Sequence, residues 1–196
     1  RREVADALGR EAAPADAGGN NVYDVKVTAS DGMLSSTKDV AISVTNVNEA
    51  PALTSSAAAS FAENGSGTVY TAAATDPDAG ATITYSISGT DASLFNINAT
   101  TGAVTFKSSP NYEAPGDTGG NNVYDVNVTA SDGTNSATKA VAITVTDVNE
   151  GPTVTSAATA NFAENASGMG YTATATDTGP GASHTYSITR ADPALC

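Results

Sequence analysis

The groups that this sequence repeats are side-chain oxygens. Acidic residues concentrate in a few short motifs: AEN carries Glu63 and Glu164, TDPDAG carries Asp76 and Asp78, NYE carries Glu113, and ASDG carries Asp31 and Asp132. The segments NVNEAP and DVNEGP add Asn48, Glu49, Asp147, Asn149 and Glu150. Each motif lies just beyond a stretch of alternating polar and apolar residues, which places it at a strand end or in a linker. Carboxylates gathered at such a place repel. Two of them ~4 Å apart cost about 4 kcal/mol at an effective dielectric near 20, so a cluster calls for a cation. Calcium accepts roughly 6–8 oxygens from carboxylates, amides and backbone carbonyls. The D-x-D spacing of Asp76 and Asp78 in a turn points both carboxylates toward one ion. Sodium carries a single charge and magnesium demands a tighter octahedron, so calcium is the expected ion.

Composition narrows the alternatives. With 21 acidic against 8 basic residues and a net charge of -13, the chain lacks the basic footprint that nucleic-acid phosphates require. His184 is the only histidine, and no catalytic partners at fixed spacing accompany it. No enzyme is expected, and His184 is expected on the surface or on an edge strand. The one cysteine, Cys196, rules out an internal disulfide. It reads as a truncation remnant. No apolar run in this stretch is long enough to span a membrane. Four Asn-x-Ser/Thr triplets, at Asn64, Asn98, Asn127 and Asn165, need no glycan in so Asn- and Thr-rich a chain.

The elements that carry the acids come from a tandem repeat. NNVYDVKVTASDG at 20–32 returns at 121–133 with one change in thirteen positions. FAEN, YTA-A-TD, YSI and VNE-P return with it, every pair offset by 101 residues. The register divides the chain into an incomplete repeat at 1–50 (late strands and linker), a complete repeat at 51–151, and a second incomplete repeat at 152–196 (early strands). Period-two rows mark the strands: Tyr124, Val126, Val128 and Ala130; Val141, Ile143 and Val145; Tyr70, Ala72 and Ala74; Ile83, Tyr85 and Ile87; Phe95 with Ile97; Val104 with Phe106. With the segment from Thr54 to Phe61 these make seven strands in a unit of about 100 residues, the size of an immunoglobulin-like sandwich. The expected fold is all-β, a tandem array of Greek-key sandwiches. Its alanine rows predict a thin core of modest stability.

FAEN, TDPDAG, NYE, ASDG and DVNEGP, in that order, resemble the calcium motifs of cadherin repeats in their bacterial cadherin-like form. The resemblance covers the chain from about residue 11. It implies that the AEN and NYE glutamates face the following linker, and that the D-x-D and ASDG acids face the preceding one. The first seam would then use Asn48, Glu49, Asp76, Asp78 and Asp132. The second would use Glu63, Glu113, Asp147, Asn149, Glu150 and Asp177. Departures weaken the first seam. Asn46 stands where the second linker has Asp147, and Ala12, beside Glu11, stands where Glu113 does. In the second seam Gly179 stands where Asp78 does. The second seam is expected to bind better.

The resemblance implies a calcium-binding segment of a bacterial cell-surface or secreted adhesin, anchored through regions outside this stretch, with calcium stiffening the linkers. Its partners would be other copies of the repeat, which is homophilic adhesion, or cell-surface proteins and glycans. The two incomplete stretches together make nearly one whole unit, which suggests head-to-tail self-association into open chains. Two rival readings remain. A carbohydrate- or matrix-binding module would show exposed aromatics on one face, whereas most aromatics here lie on inward rows. A passive spacer in a large secreted enzyme would differ only in its flanking sequence.

Overall fold

The computed structural model of the chain describes residues 21–179 and 183–189. Arg10, Glu11, Ala12, the stretch RREVADALGR and Cys196 lie outside the described residues. Thr, Val and aromatic residues in alternation favour a pleated, half-buried backbone, and the described chain is β-strand and loop with one 3-10 turn at Ala92–Leu94.

The complete repeat is a two-sheet sandwich. One sheet has the order β4 (Ala58–Ala62), β11 (Ser136–Thr146), β10 (Val123–Ser131) and β7 (Thr84–Ser88). The other is β5 (Thr68–Thr71), β9 (Ala103–Phe106) and β8 (Phe95–Ile97). Pairing is antiparallel except that β4 runs parallel to β11. The non-sequential neighbours give the Greek-key winding. Two of the seven expected strands are interrupted. The first begins as β3 (Ala52–Leu53), paired with β6 (Ala74–Thr75), and then changes sheet to become β4. The Lys139 ammonium donates to the Leu53 and Ser55 carbonyls at 3.0 and 2.7 Å, satisfying backbone acceptors at that crossover. The second is split into β5 and β6, and within β5 the register with β9 shifts between Thr68 and Tyr70. The shift lets the neighbours Val69 and Tyr70 both point inward.

Inward rows of both sheets form one core. Tyr124, Val126, Val128 and Ala130 are buried, as are Val141, Ile143 and Val145. The core is less thin than its alanines suggest, because aromatic rings gather at one end. Phe95 and Phe106 have centroids 4.3 Å apart, and Tyr124 meets both edge-on at 5.8 and 5.0 Å. Such pairs contribute about 0.5–1.5 kcal/mol beyond their buried area. The Tyr124 hydroxyl accepts from the Gly116 N–H, so the ring also pins the loop before its own strand.

The flanking stretches repeat parts of this plan. β1 (Val22–Ser30) and β2 (Ser35–Ser43) pair Tyr23 with Ile42, as β10 and β11 pair Tyr124 with Ile143. Val27 is 52% exposed where Val128 is fully buried, because no second sheet covers that hairpin among the described residues. β12 (Thr153–Val154) pairs with β13 (Ala175–Thr176) as β3 pairs with β6. The Tyr171 hydroxyl donates to the Ala157 carbonyl just as Tyr70 donates to Ser56.

Candidate metal centre

The acids of the second linker are assembled by Glu63. It follows β4 directly, where its N–H donates to the Thr146 carbonyl at 3.0 Å and continues the pairing with β11. The carboxylate turns inward and is buried. One oxygen accepts the Tyr112 N–H at 2.8 Å and the other the Val148 N–H at 2.9 Å. These two bonds, first that from Tyr112, hold the Glu63 carboxyl below the usual glutamate range against the opposing effect of burial. They also bring in the two segments that carry the remaining acids: Tyr112 precedes Glu113, and Val148 lies between Asp147 and Glu150.

Carboxylate oxygens of Glu63, Glu113, Asp147 and Glu150 all lie within 4.8 Å of one another. Glu113 has its own backbone N–H to lower its pKa, but burial and the charges of Glu150, Glu63 and Asp147 outweigh it and push the carboxyl up. Asp147 is also pushed up, by burial and then by the Glu63 charge. Asp147 Oδ1 and Glu150 Oε2 are shielded from water and accept no hydrogen bond from the described residues. Buried anionic oxygens without donors are costly, and they are what an oxygen-liganded divalent ion would satisfy. With metal–oxygen distances of roughly 2.3–2.6 Å, oxygens up to about 5 Å apart fit one coordination sphere. The donor set fits calcium.

The other residues expected at this seam are placed differently. Asn149 is exposed, with its amide on the Glu150 carbonyl at 3.0 Å. Asp177, after β13, accepts the Gly179 N–H and faces His184, 3.6 Å away. Neither belongs to the group of four. His184 is half-buried, and its Nε2 is shielded from water. The surface position expected for it is therefore corrected: it lies against the linker through Asp177.

The first linker is closed by amides. Asn46 donates to Asp78 Oδ1, Asn48 donates to Asp132 Oδ2 at 2.8 Å, and the Glu49 N–H reaches Asp78 Oδ2 at 2.9 Å. Asn135 donates to the Asn48 carbonyl. Asp132 Oδ1 caps its own turn through the Asn135 and Thr134 N–H groups, and these bonds, with the Asn48 amide, hold its carboxyl down. Asp76 Oδ1 accepts the Asp78 N–H while its Oδ2 is buried and unpartnered among the described residues. The structure thus ties Asn48 to Asp132 and, separately, Asp78 to Asn46 and to the Glu49 backbone. Asn46 supplies a donor where Asp147 supplies a charge.

Sequence reasoning missed three buried polar residues that anchor the stretch between Tyr112 and Asp125. Asp91 accepts the Thr118 N–H and hydroxyl and the Asp125 N–H, each at 2.8 Å. Asp117 accepts the Asn121 and Asn122 N–H groups at 3.0 Å. Asn122, in the left-handed region at φ 62°, donates its amide to the Tyr112 carbonyl at 2.8 Å. The signal was present, since Asp16 and Asn21 stand one repeat before Asp117 and Asn122, and Asp192 one repeat after Asp91.

An immunoglobulin-like Greek-key repeat with acids gathered at its linker end is the class of protein that fold and site define. Residues 57–146 match the cadherin domain family model. A search of the curated proteins found no match. Among solved structures, the chain is similar to protocadherin gammaB7 in a structure of repeats EC3-6 described as a cis-dimer. The identity there is 26% and the TM-score 0.51, over 69% of this chain and 36% of that one. It shares its fold with human CDH23 EC21-23 (19% identity, TM-score 0.54, 81% of this chain and 55% of that one). The same holds for protocadherin gamma B7 domains 1-4 (21%, 0.53, 83% and 42%). The chain spans between about a third and just over half of those chains' lengths. No helix among the described residues is long and apolar enough to cross a membrane.

Proposed function

We propose that this chain is a calcium-binding segment of an extracellular, cadherin-repeat adhesion protein, in which bound calcium rigidifies the linkers between sandwiches. The observation that carries the reading is the meeting of Glu63, Glu113, Asp147 and Glu150, from three separate chain segments, within 4.8 Å. The ion supplies the positive charge under which these carboxylates can remain together. Glu63 ties the linker to the end of the sandwich through Val148, and Glu113 and Glu150 approach it from the loop and the linker. Asn149 and Asp177 complete the second seam. Asn48, Glu49, Asp76, Asp78 and Asp132 form a weaker first seam. The repeat boundaries are taken at 1–50, 51–151 and 152–196.

The role is mechanical, and no reaction is assigned. The cadherin match at 57–146 supports an adhesion role at a cell surface, with other copies of the repeat or cell-surface proteins and glycans as partners. The bacterial setting and the head-to-tail association extend this reading. Its test is thermal melting of the chain with and without calcium. Extracellular modules bind at about 10⁻⁴–10⁻³ M, so ~10 mM calcium should raise the midpoint by roughly 5–10 °C. An unchanged midpoint would remove the proposal.

A further inference from the structure

Asn64 follows Glu63 directly, and the two neighbours reach the second linker separately. Glu63 accepts the Val148 N–H, whereas Asn64 Nδ2 donates to Glu150 Oε1 at 3.0 Å, across 86 residues of sequence. Only the amide nitrogen suits that contact, because an ionised carboxylate accepts and does not donate. A hydrogen bond to such a charged acceptor is stronger than one between neutral groups.

The backbone at Asn64 sets up this reach. Its φ of 57° lies in the left-handed region, which Asn enters more readily than most side chains. Its N–H donates to the Pro110 carbonyl at 2.9 Å, and the Ser109 hydroxyl donates to the Gly65 carbonyl at 2.7 Å. Both bonds fasten the turn to the segment that leads to Glu113. A Cβ on Gly65 would lie 2.9 Å from the Ala62 carbonyl oxygen and 3.0 Å from the Phe61 ring, so glycine is required for the chain to turn this closely after Asn64. The turn fixes where the Asn64 side chain starts, and Glu150 is where it ends.

Glu150 keeps one oxygen in reserve. Its Oε2 is shielded from water and unpartnered among the described residues, and Glu150 is one of the carboxylates gathered within 4.8 Å. A glutamate side chain is long and loses much rotamer freedom when it is held in one place. The bond to Oε1 meets part of that cost before an ion arrives.

We propose that Asn64 is a positioning residue of the second seam, whose amide holds Glu150 Oε1 so that Oε2 is left for the calcium ion. The inference rests on the calcium reading above and adds to it a residue outside the ligand set. Metal-binding carboxylates are oriented by such hydrogen-bonding partners, whose loss costs roughly 10–100-fold in affinity. The role asks for an uncharged donor. Asn64→Asp would keep the backbone and set another carboxylate against Glu150.

The test is calcium calorimetry on the whole chain, with melting in chelator alongside. Asn64→Gly removes the amide and keeps the backbone, since glycine accepts a positive φ. Calcium affinity is expected to fall about tenfold or more, with the chelator midpoint close to the native one. Glu150→Ala should move the NMR signal of the Asn64 side-chain amide, identified as the one missing from Asn64→Gly, in chelator as in calcium. Native affinity in Asn64→Gly, or an amide signal indifferent to Glu150→Ala, would overturn the positioning role and leave the calcium reading standing. A chelator midpoint that falls along with the affinity would make Asn64 structural and overturn it as well. A native chain that binds no calcium would remove both.

Discussion

Glu63 and Val148 are joined by a 2.9 Å hydrogen bond across 85 residues of sequence, from the linker backbone to a buried carboxylate. The end of the sandwich thereby grips its own exit linker before any ion is considered. The clamp and the candidate ligand are the same side chain, so structure and metal binding are coupled at one residue.

Glu63→Ala removes that acceptor and leaves the Tyr112 and Val148 N–H groups without it. The expected result is a midpoint lower by roughly 5–10 °C in calcium-free buffer, together with loss of the calcium gain. Melting curves in chelator and in calcium read both effects. A native-like midpoint in chelator would show that the clamp contributes nothing.

Glu113→Gln should act with opposite signs in the two buffers. The Glu113 carboxyl is raised in the folded chain, so its stabilising contribution is complete below its unfolded value and is lost as pH rises through its folded value. At neutral pH without calcium the glutamate therefore opposes folding, and Gln relieves that. With calcium, one of four carboxylates is missing, and affinity should fall at least tenfold. A lower midpoint in chelator would contradict this account.

Calcium affinity should fall with acidity. The ion needs ionised carboxylates, and Glu113 and Asp147 hold their protons above their ordinary values of 4.5 and 3.8. Glu63 and Asp132 are shifted the other way, so the stability they contribute persists above their unfolded values and is lost only as pH falls through their lower folded ones. The raised pair therefore protonates first. Titrations at about pH 7 and pH 5 should show the weaker affinity at the lower pH. Equal affinities would place the ion elsewhere.

Asn46→Asp gives the first linker the charge that Asp147 gives the second. It turns an amide–carboxylate bond with Asp78 into a carboxylate pair. The midpoint in chelator should drop by a few degrees, about 3–5 °C, and the calcium gain should grow. A calcium gain identical to the native one would show that this linker takes no ion.

Asp91→Ala separates scaffold from site. Three donors, two of them backbone, lose a buried acceptor, at a cost of about 1–3 kcal/mol. Denaturant unfolding should register that loss, while the calcium gain persists because Asp91 is outside the group of four. Loss of the gain would mean that the Glu113 loop depends on Asp91 for its position.

Much of the fold was legible because strand periodicity is a local property. Tyr124, Val126 and Val128 alternate with polar neighbours whatever lies across the sheet, and they are the buried row. The crossover from β3 to β4 was not legible, since it depends on Lys139 reaching the Leu53 and Ser55 carbonyls from a distant strand. His184 was misjudged because its position is decided by contact with Asp177, not by its neighbours in sequence.

By itself, the order of residues determined that units recur every 101 residues, that the complete one is a sandwich, and that acids collect at its ends. Only the tertiary structure decided which oxygens share a space. Glu63, Glu113, Asp147 and Glu150 come together, while Asp177 turns to His184 and the first linker closes on its own amides. The reason is physical. Alternation places a side chain on a face through its nearest neighbours, whereas a coordination shell is set by distances between segments that only the packing of two sheets and a linker can bring within a few ångströms.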